Sequence, residues 1–568
     1  MRFQIPKTGL AAKAVAVVWF VAGSSAAYAQ TQAFPVHVTV DAAKTLGPFS
    51  QAWSYFGADE PNYATMKDGE TLLSELGALN PGHVYFRTHQ LLTSGDGTPA
   101  LKWGSTNIYT EDAKGNAVYN YTIVDHIFDA YLKAGVKPYV EIGFMPEALS
   151  SKPEPYRSDW RPGFDYNRIG KGVSYPPKDY AKWGELVYQW VSHCVARYGQ
   201  AEVETWYFET WNEANLPAYW KGTPEEFYRL HDTAMAAVRR ALPTARVGGP
   251  DMAGTGPFLD GFIDHVTKGT NYASGQSGTP ADFMSFHAKG LPSFLGEHVR
   301  MDMAPQLVTA DNGFKRLAAD PTLKDKPIVI GESDPDGCAA CLGPQLGYRN
   351  GTMYSSYTAA SFPRLVALAE REHVHLDGVL TWAFEFEDQP YFAGYRQLMS
   401  NGIDLPVLNV FRMYAKMHGD QIEASSSGQI PLDEVMKNSI KTRPDVGVIA
   451  ARKDDEVSIM VWHYFDDDVK GPDAEVDIAI KNLPKAFKKG AVVTQYRIDE
   501  QHSNAYAVWK QMNSPVTLND ADFLAIKAKA GLQIVDAPKP SDVVKHEADL
   551  TLTLPRQGIA LFVLTPAP

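Results

Sequence analysis

Trp206-Tyr-Phe-Glu-Thr-Trp-Asn-Glu213 decides the reading of the whole chain. Its aromatic residues predict a buried strand, and the run breaks at Asn215 and Pro217. A carboxylate at the mouth of an apolar strand is costly there unless it is paired or used. For one isolated glutamate, pairing with an arginine is the ordinary explanation. Here Asn212 stands directly before Glu213, and Trp206 and Trp211 supply apolar walls. A second run, Pro327-Ile-Val-Ile-Gly-Glu332, ends in the same way. Two carboxylates ending two buried strands match the needs of glycoside hydrolysis. One carboxyl donates a proton to the leaving oxygen, and the other, ionised, attacks or activates water. Asn212 suits a sugar 2-hydroxyl, whose hydrogen bond can strengthen in the transition state.

Working outward, short apolar runs alternate with amphipathic helical stretches from about residue 48. The runs are 49–56, 83–89, 137–144, 206–213, 245–251, 282–287, 327–332 and 378–384. Helices are predicted over 71–79, 122–134, 180–198, 224–242, 258–268, 303–320 and 354–372. Alternation of this kind means parallel strands, and eight of them predict a (β/α)8 TIM barrel, an α/β fold. Active-site residues of such barrels come from the C-terminal strand ends. His89, Glu141, Asn212, Glu213, His287, Glu332, Trp382 and Glu385 all fall at or near those ends. The ordinary alternative for His89 and His287 is a barrel-lining histidine satisfied by backbone. Their register favours binding, and the chemistry needs no metal and no cofactor.

After about residue 425 alternating strands dominate, which predicts an accessory antiparallel β-sandwich domain. The expected division is 1–29 signal peptide, 30–47 N-terminal strand joining the sandwich, 48–425 barrel and 426–568 sandwich. Arg2, Lys7 and Lys13, an apolar run over 14–23 and Ala27-Tyr-Ala29 are the marks of a cleavable secretory signal. Secreted or periplasmic localisation follows, with no membrane insertion after cleavage. A net charge of −13 argues against nucleic acid as a partner and fits a small-molecule or oligosaccharide substrate. Cys338 and Cys341 have no further ligands at zinc spacing, so a local loop disulfide is expected, with Cys194 a buried free thiol. Asn350-Gly-Thr352 fits a glycosylation sequon.

With these residues in place, the chain resembles glycoside hydrolase family 39, the β-xylosidase and α-L-iduronidase family. The marks are Phe86-Arg-Thr-His-Gln-Leu-Leu92, Val140-Glu-Ile-Gly-Phe-Met-Pro146, Glu209-Thr-Trp-Asn-Glu213, Val247-Gly-Gly-Pro250, Ser285-Phe-His287, Gly331-Glu332 and Thr381-Trp-Ala-Phe384. Arg497-Ile-Asp-Glu-Gln-His-Ser-Asn-Ala-Tyr506 is similar to the xylosidase members. The resemblance implies Glu213 as general acid/base and Glu332 as nucleophile of a retaining double displacement, with carboxyl groups about 5–5.5 Å apart. It also implies His89, Asn212 and His287 as ligands to sugar hydroxyls and Trp382 as the platform under the ring. Glu385 and Glu387 are both within reach of hydroxyls, with Glu385 nearer the strand end.

One segment pulls elsewhere. His287-Ala-Lys-Gly290 looks like the iduronidase members, in which the lysine faces the uronic carboxylate. Lys289 with Arg349 would then form a cation pair for an anionic sugar; alternatively Lys289 pairs with a barrel carboxylate such as Glu332. Exo-acting release of xylose from β-xylosides is therefore the first reading, in the manner of a xylan 1,4-β-xylosidase. An α-L-iduronide, another uronide or an arabinoside is the second. Exo action is suggested by the long segments 93–107, 150–175 and 338–350. A carbohydrate-binding protein with a dead barrel would be expected to lack one carboxylate, and both are present.

Overall fold

Every one of the eight apolar runs overlaps a strand of one parallel sheet in the computed structural model, which describes residues 32–568; the first and last each overlap a short strand by two residues only. The strands are Tyr55–Ala58 (β1), Val84–Thr88 (β2), Val136–Ile142 (β3), Tyr207–Thr210 (β4), Arg246–Met252 (β5), Phe283–His287 (β6), Ile328–Glu332 (β7) and Leu376–Val379 (β8). Phe56 bridges Thr381 in parallel register, and Gly57 N–H donates to Thr381 O at 3.1 Å. These contacts bring β1 onto the end of β8 and close the barrel. Strands wrapped by helices are buried on both faces, which is why their sequences read as near-continuous apolar runs.

The helices follow from caps and spacing. Tyr180–Tyr198 buries Trp183, Leu186, Val187, Trp190, Val191 and Cys194, one stripe at helical period. It starts where the Asp179 carboxylate accepts from the N–H groups of Ala181 and Lys182. Pro224–Ala241 begins with a Thr223–Glu226 capping box and a proline in the first turn. No helix among the described residues is long and apolar enough to cross a membrane. The expected signal peptide lies outside the described residues.

The accessory strands form a single ten-stranded sheet. Phe34–Pro48 lies within it, antiparallel to Asp420–Ser426 and parallel to Ala474–Lys481. The sheet is therefore mixed rather than purely antiparallel, because the N-terminal strand arrives from the far end of the chain. The expected boundary at 425 falls inside the strand Asp420–Ser426. One apolar core gathers Val36, Val38, Val476 and Ile478 with Val461, Ala491 and Phe562. Residues from strands along the whole order share this core. A buried Arg364–Asp445 pair at 2.8 Å, with Trp462 Nε1 donating to the same carboxylate at 2.7 Å, fastens the barrel helix Thr352–Arg371 to this sheet. Cys338 and Cys341 are disulfide-bonded, and Cys194 is free and buried. Asn350 is buried, with its amide donating to Phe392 O at 2.7 Å, so the sequon is not presented to solvent.

Candidate active site

The C-terminal ends of the strands converge on Arg87 of β2, which is fully buried. Its guanidinium lies 3.0 Å from Glu141, 2.9 Å from Asp251 and 3.5 Å from Glu332, and it also pairs with Glu209. Four carboxylates around one cation cannot all be ionised in a desolvated site. Burial pushes Glu209 well above the ordinary carboxyl range against the pull of Arg87, and it lifts Glu141 to about 7. Burial would raise Asp251 as well, but Arg87 and the His287 ring 3.7 Å away hold it at about 2. Gly331 makes this packing possible: a Cβ there would stand 2.1 Å from the Asp251 carboxylate.

Glu332, at the end of β7, is surrounded by positive charge. Lys289 donates to its Oε2 at 2.7 Å, while Arg87, His89 and His287 face its Oε1 at 3.5, 3.7 and 3.8 Å. Burial would raise this carboxyl. Lys289, His287 and His89 outweigh burial and hold it well below the usual range, so Glu332 is ionised. Burial likewise opposes charge on His287, but Glu332, Asp251 and Glu213 raise it to about 9. Glu213 follows β4, and its Oε1 lies 2.9 Å from His287 Nδ1. Within the trio Glu213, His287 and Glu332, one ligand atom from each residue lies within 4.8 Å of the others. That trio is also the one grouping of metal-donor type found among the described residues. An added cation there would face Lys289 and Arg87 across Glu332, and their positive charge disfavours a metal at this trio.

Backbone strain concentrates at the same place. Gln90, Trp211, Glu213 and Asp251 all have left-handed φ, at 68°, 71°, 43° and 46°. They follow or end β2, β4 and β5. Such conformations cost on the order of 1–3 kcal/mol each and persist where the surroundings over-determine them. Here Glu213 N–H donates to Asp251 O at 2.9 Å, tying two of them together.

The other expected ligands divide. Asn212 is buried; its carbonyl accepts from Arg87 at 3.1 Å, and its amide nitrogen has no partner among the described residues. Trp382 lies 5.0 Å from the Arg87 guanidinium and 4.4 Å from the His89 ring. Its indole packs over Gly57, where a Cβ would stand 2.5 Å from the ring. His89 is held by Asp59 at 3.2 Å. Lys289 is shared between Glu332 and Asp334, the latter at 2.9 Å. Arg349 is not available to a ligand. It is fully buried and spent on Asp336 at 2.7 Å and on the carbonyls of Cys338, Ala339, Cys341 and Gly394. The cation pair expected from Lys289 and Arg349 is therefore absent, because Asp336 and the disulfide loop consume the guanidinium. Glu387 accepts from Asp68 N–H at 2.9 Å, capping the helix Lys67–Leu79.

Glu385 stands apart from this network. Its carboxyl faces Gly69 at the start of the same helix and has no hydrogen-bond partner among the described residues. Burial, then Glu387 and Asp68, push it up to about 9. A raised folded pKa contributes stability that is fully present below the unfolded value of 4.5 and is lost as pH rises through about 9. Glu385→Gln, neutral at every pH, is expected to flatten the fall of the unfolding midpoint between pH 7 and 9. An unchanged slope in thermal melts would show that the carboxyl is not held neutral.

Sequence reasoning singled out Glu213, Glu332, Asn212, His89 and His287, and the structure brings these five together. It missed the role of Arg87, although that residue stands in the quoted Phe86–Leu92 run. It also missed Asp59, Asp334 and Lys102, whose loop positions carry no periodic signal.

The profile of the family described as glycosyl hydrolases family 39 matches residues 36–542. The chain is 26% identical over 457 residues to a β-xylosidase of Geobacillus stearothermophilus, covering 76% of this chain and 77% of that protein. It is 24% identical over 551 residues to the α-L-iduronidase of Mus musculus, covering 89% and 77%. The crystal structure of a monomeric β-xylosidase from Caulobacter crescentus superposes with a TM-score of 0.72 at 22% identity, covering 94% of this chain and all of that one. With a carboxylate pair at the mouth of a closed barrel and a family profile spanning most of its length, the chain belongs to glycosyl hydrolases family 39, and it is a glycosidase.

Proposed function

We propose that the protein is a retaining, exo-acting β-xylosidase. The observation that carries the mechanism is the separation of Glu213 and Glu332, whose oxygens approach within 4.8 Å. That fits the ~5–5.5 Å of a direct nucleophile and falls short of the ~6.5–9.5 Å that leaves room for water. Glu332 attacks the anomeric carbon and the bond to the leaving oxygen breaks, with the Glu213 proton passing to that oxygen. Water then enters, gives its proton to Glu213 and cleaves the glycosyl ester. Asn212 offers its unpaired amide to the 2-hydroxyl, and Trp382 with His89 forms the floor beneath the ring. The loop carrying Tyr166 borders the cavity that holds Glu213, which supports action on chain ends.

A pentoside is favoured over a uronide by what the cations already do. Lys289 has two carboxylate partners and Arg349 is fully engaged, so a uronic carboxylate would find neither of these two cations free. The test is a side-by-side assay on aryl β-D-xyloside and aryl α-L-iduronide. The xyloside is expected to be preferred by about 100-fold or more in kcat/KM, the scale set by an unpaired charge in a desolvated pocket. Preference for the iduronide would mean that Lys289 leaves Asp334 for the substrate.

A further inference from the structure

Hydroxyl accounting around Lys102 points to a substrate contact outside the sites named so far. Lys102 is buried and has φ of 58°, a conformation rarely adopted by a lysine. The Glu60 carboxylate accepts its N–H, and its ammonium forms an ion pair with Asp59 at 2.7 Å. The same ammonium lies 3.4 Å from the Tyr166 hydroxyl and 3.5 Å from the Tyr219 hydroxyl. Those two hydroxyls are 2.6 Å apart. An ammonium only donates, so both phenol oxygens receive from Lys102. One phenol proton bridges the pair, and the second has no acceptor among the described residues. Tyr219 is only 3% exposed and lies beneath Phe144 and Trp211. Tyr166 is half-buried and borders a cavity of about 300 Å³ together with Glu213, Leu216, Ala253, His287, Lys289 and Thr309. The outward proton therefore belongs to Tyr166.

We propose that the Tyr166 hydroxyl donates a hydrogen bond to an oxygen of the leaving sugar, with Tyr219 and Lys102 as positioning residues that fix its direction. The cavity includes Glu213, whose proton goes to the leaving oxygen, together with His287 and Lys289, while Trp382, His89 and Asn212 do not line it. Tyr166 thus faces the site from the side of the acid/base carboxyl rather than from the floor beneath the ring. The electrostatics agree: burial raises the phenol to about 12 although Lys102 pulls it down, so it keeps its proton at any working pH.

This inference rests on the proposed double displacement. Its test compares xylobiose with 4-nitrophenyl β-D-xyloside, which share the inner ring and differ in the leaving group. In Tyr166→Phe the xylobiose-to-aryl ratio of kcat/KM is expected to fall about tenfold, the scale of one lost hydrogen bond. In Tyr219→Phe the ratio is expected to fall about threefold, because the Tyr166 proton loses its fixed direction. A purely structural defect would lower both substrates together and leave the ratio alone, so an unchanged ratio in Tyr166→Phe overturns the assignment. A wild-type protein inactive on both xylosides would overturn the proposed function, and this assignment with it.

Discussion

Replacing Glu332 by alanine is expected to lower kcat by on the order of 10⁵-fold on every glycoside the protein accepts. The loss should not depend on the leaving group, because a nucleophile is needed whether or not the departing oxygen requires a proton. The variant should fold. Lys289 keeps its contact with Asp334 at 2.9 Å, and Arg87 keeps Glu141, Glu209 and Asp251. The space left by the carboxylate adjoins Arg87, His89 and His287, all of which favour a small anion. Azide added at high concentration should enter there and attack from the vacated face, giving a glycosyl azide of inverted configuration when the leaving group is activated. Product configuration is read by proton NMR. Residual activity within 100-fold of wild type, or an azide product of retained configuration, would exclude Glu332 as the nucleophile.

What the linear sequence discloses, and what it does not, follows from how local each feature is. A barrel strand is buried on both faces, so its composition alone marks it, and Arg246–Met252 is found as readily as Tyr207–Thr210. The flanking helices carry their own stripes and caps, as Pro224–Ala241 does with Thr223 and Glu226. Glu213 and Glu332 are legible because a strand-end carboxylate is costly and two of them recur at one register. Arg87 is not legible as the hub, because its partners come from four other strands and a single arginine in a strand looks ordinary. The fate of Arg349 is hidden for a related reason: nothing in the sequence shows that Asp336 and four carbonyls have already claimed it. The parallel pairing of Phe34–Pro48 with Ala474–Lys481 joins opposite ends of the chain, and no local pattern encodes it.

The general acid should separate from the nucleophile by leaving group. Glu213→Ala is expected to lower kcat/KM for xylobiose by about 10³-fold, within the range attributed to one positioned proton donor. The loss on an activated dinitrophenyl xyloside should be about tenfold or less, since that leaving group departs without a proton. The side-chain environments explain why only one of the two carboxylates can serve as the acid. Glu332 is held ionised by Lys289, His287 and His89, whereas Glu213 touches a single histidine and retains 12% side-chain exposure near the mouth. With attack intact and water activation gone, the glycosyl-enzyme should accumulate, visible as a burst of dinitrophenol and as a mass increase of one pentosyl unit on the protein. Azide should then release it as a product of retained configuration, the opposite of the Glu332→Ala result, because the sugar is delivered from the enzyme rather than directly. Equal losses on the two xylosides, with no burst and no adduct, would remove Glu213 from the role of acid and base and leave the proton donor to be found among the tyrosines of the mouth.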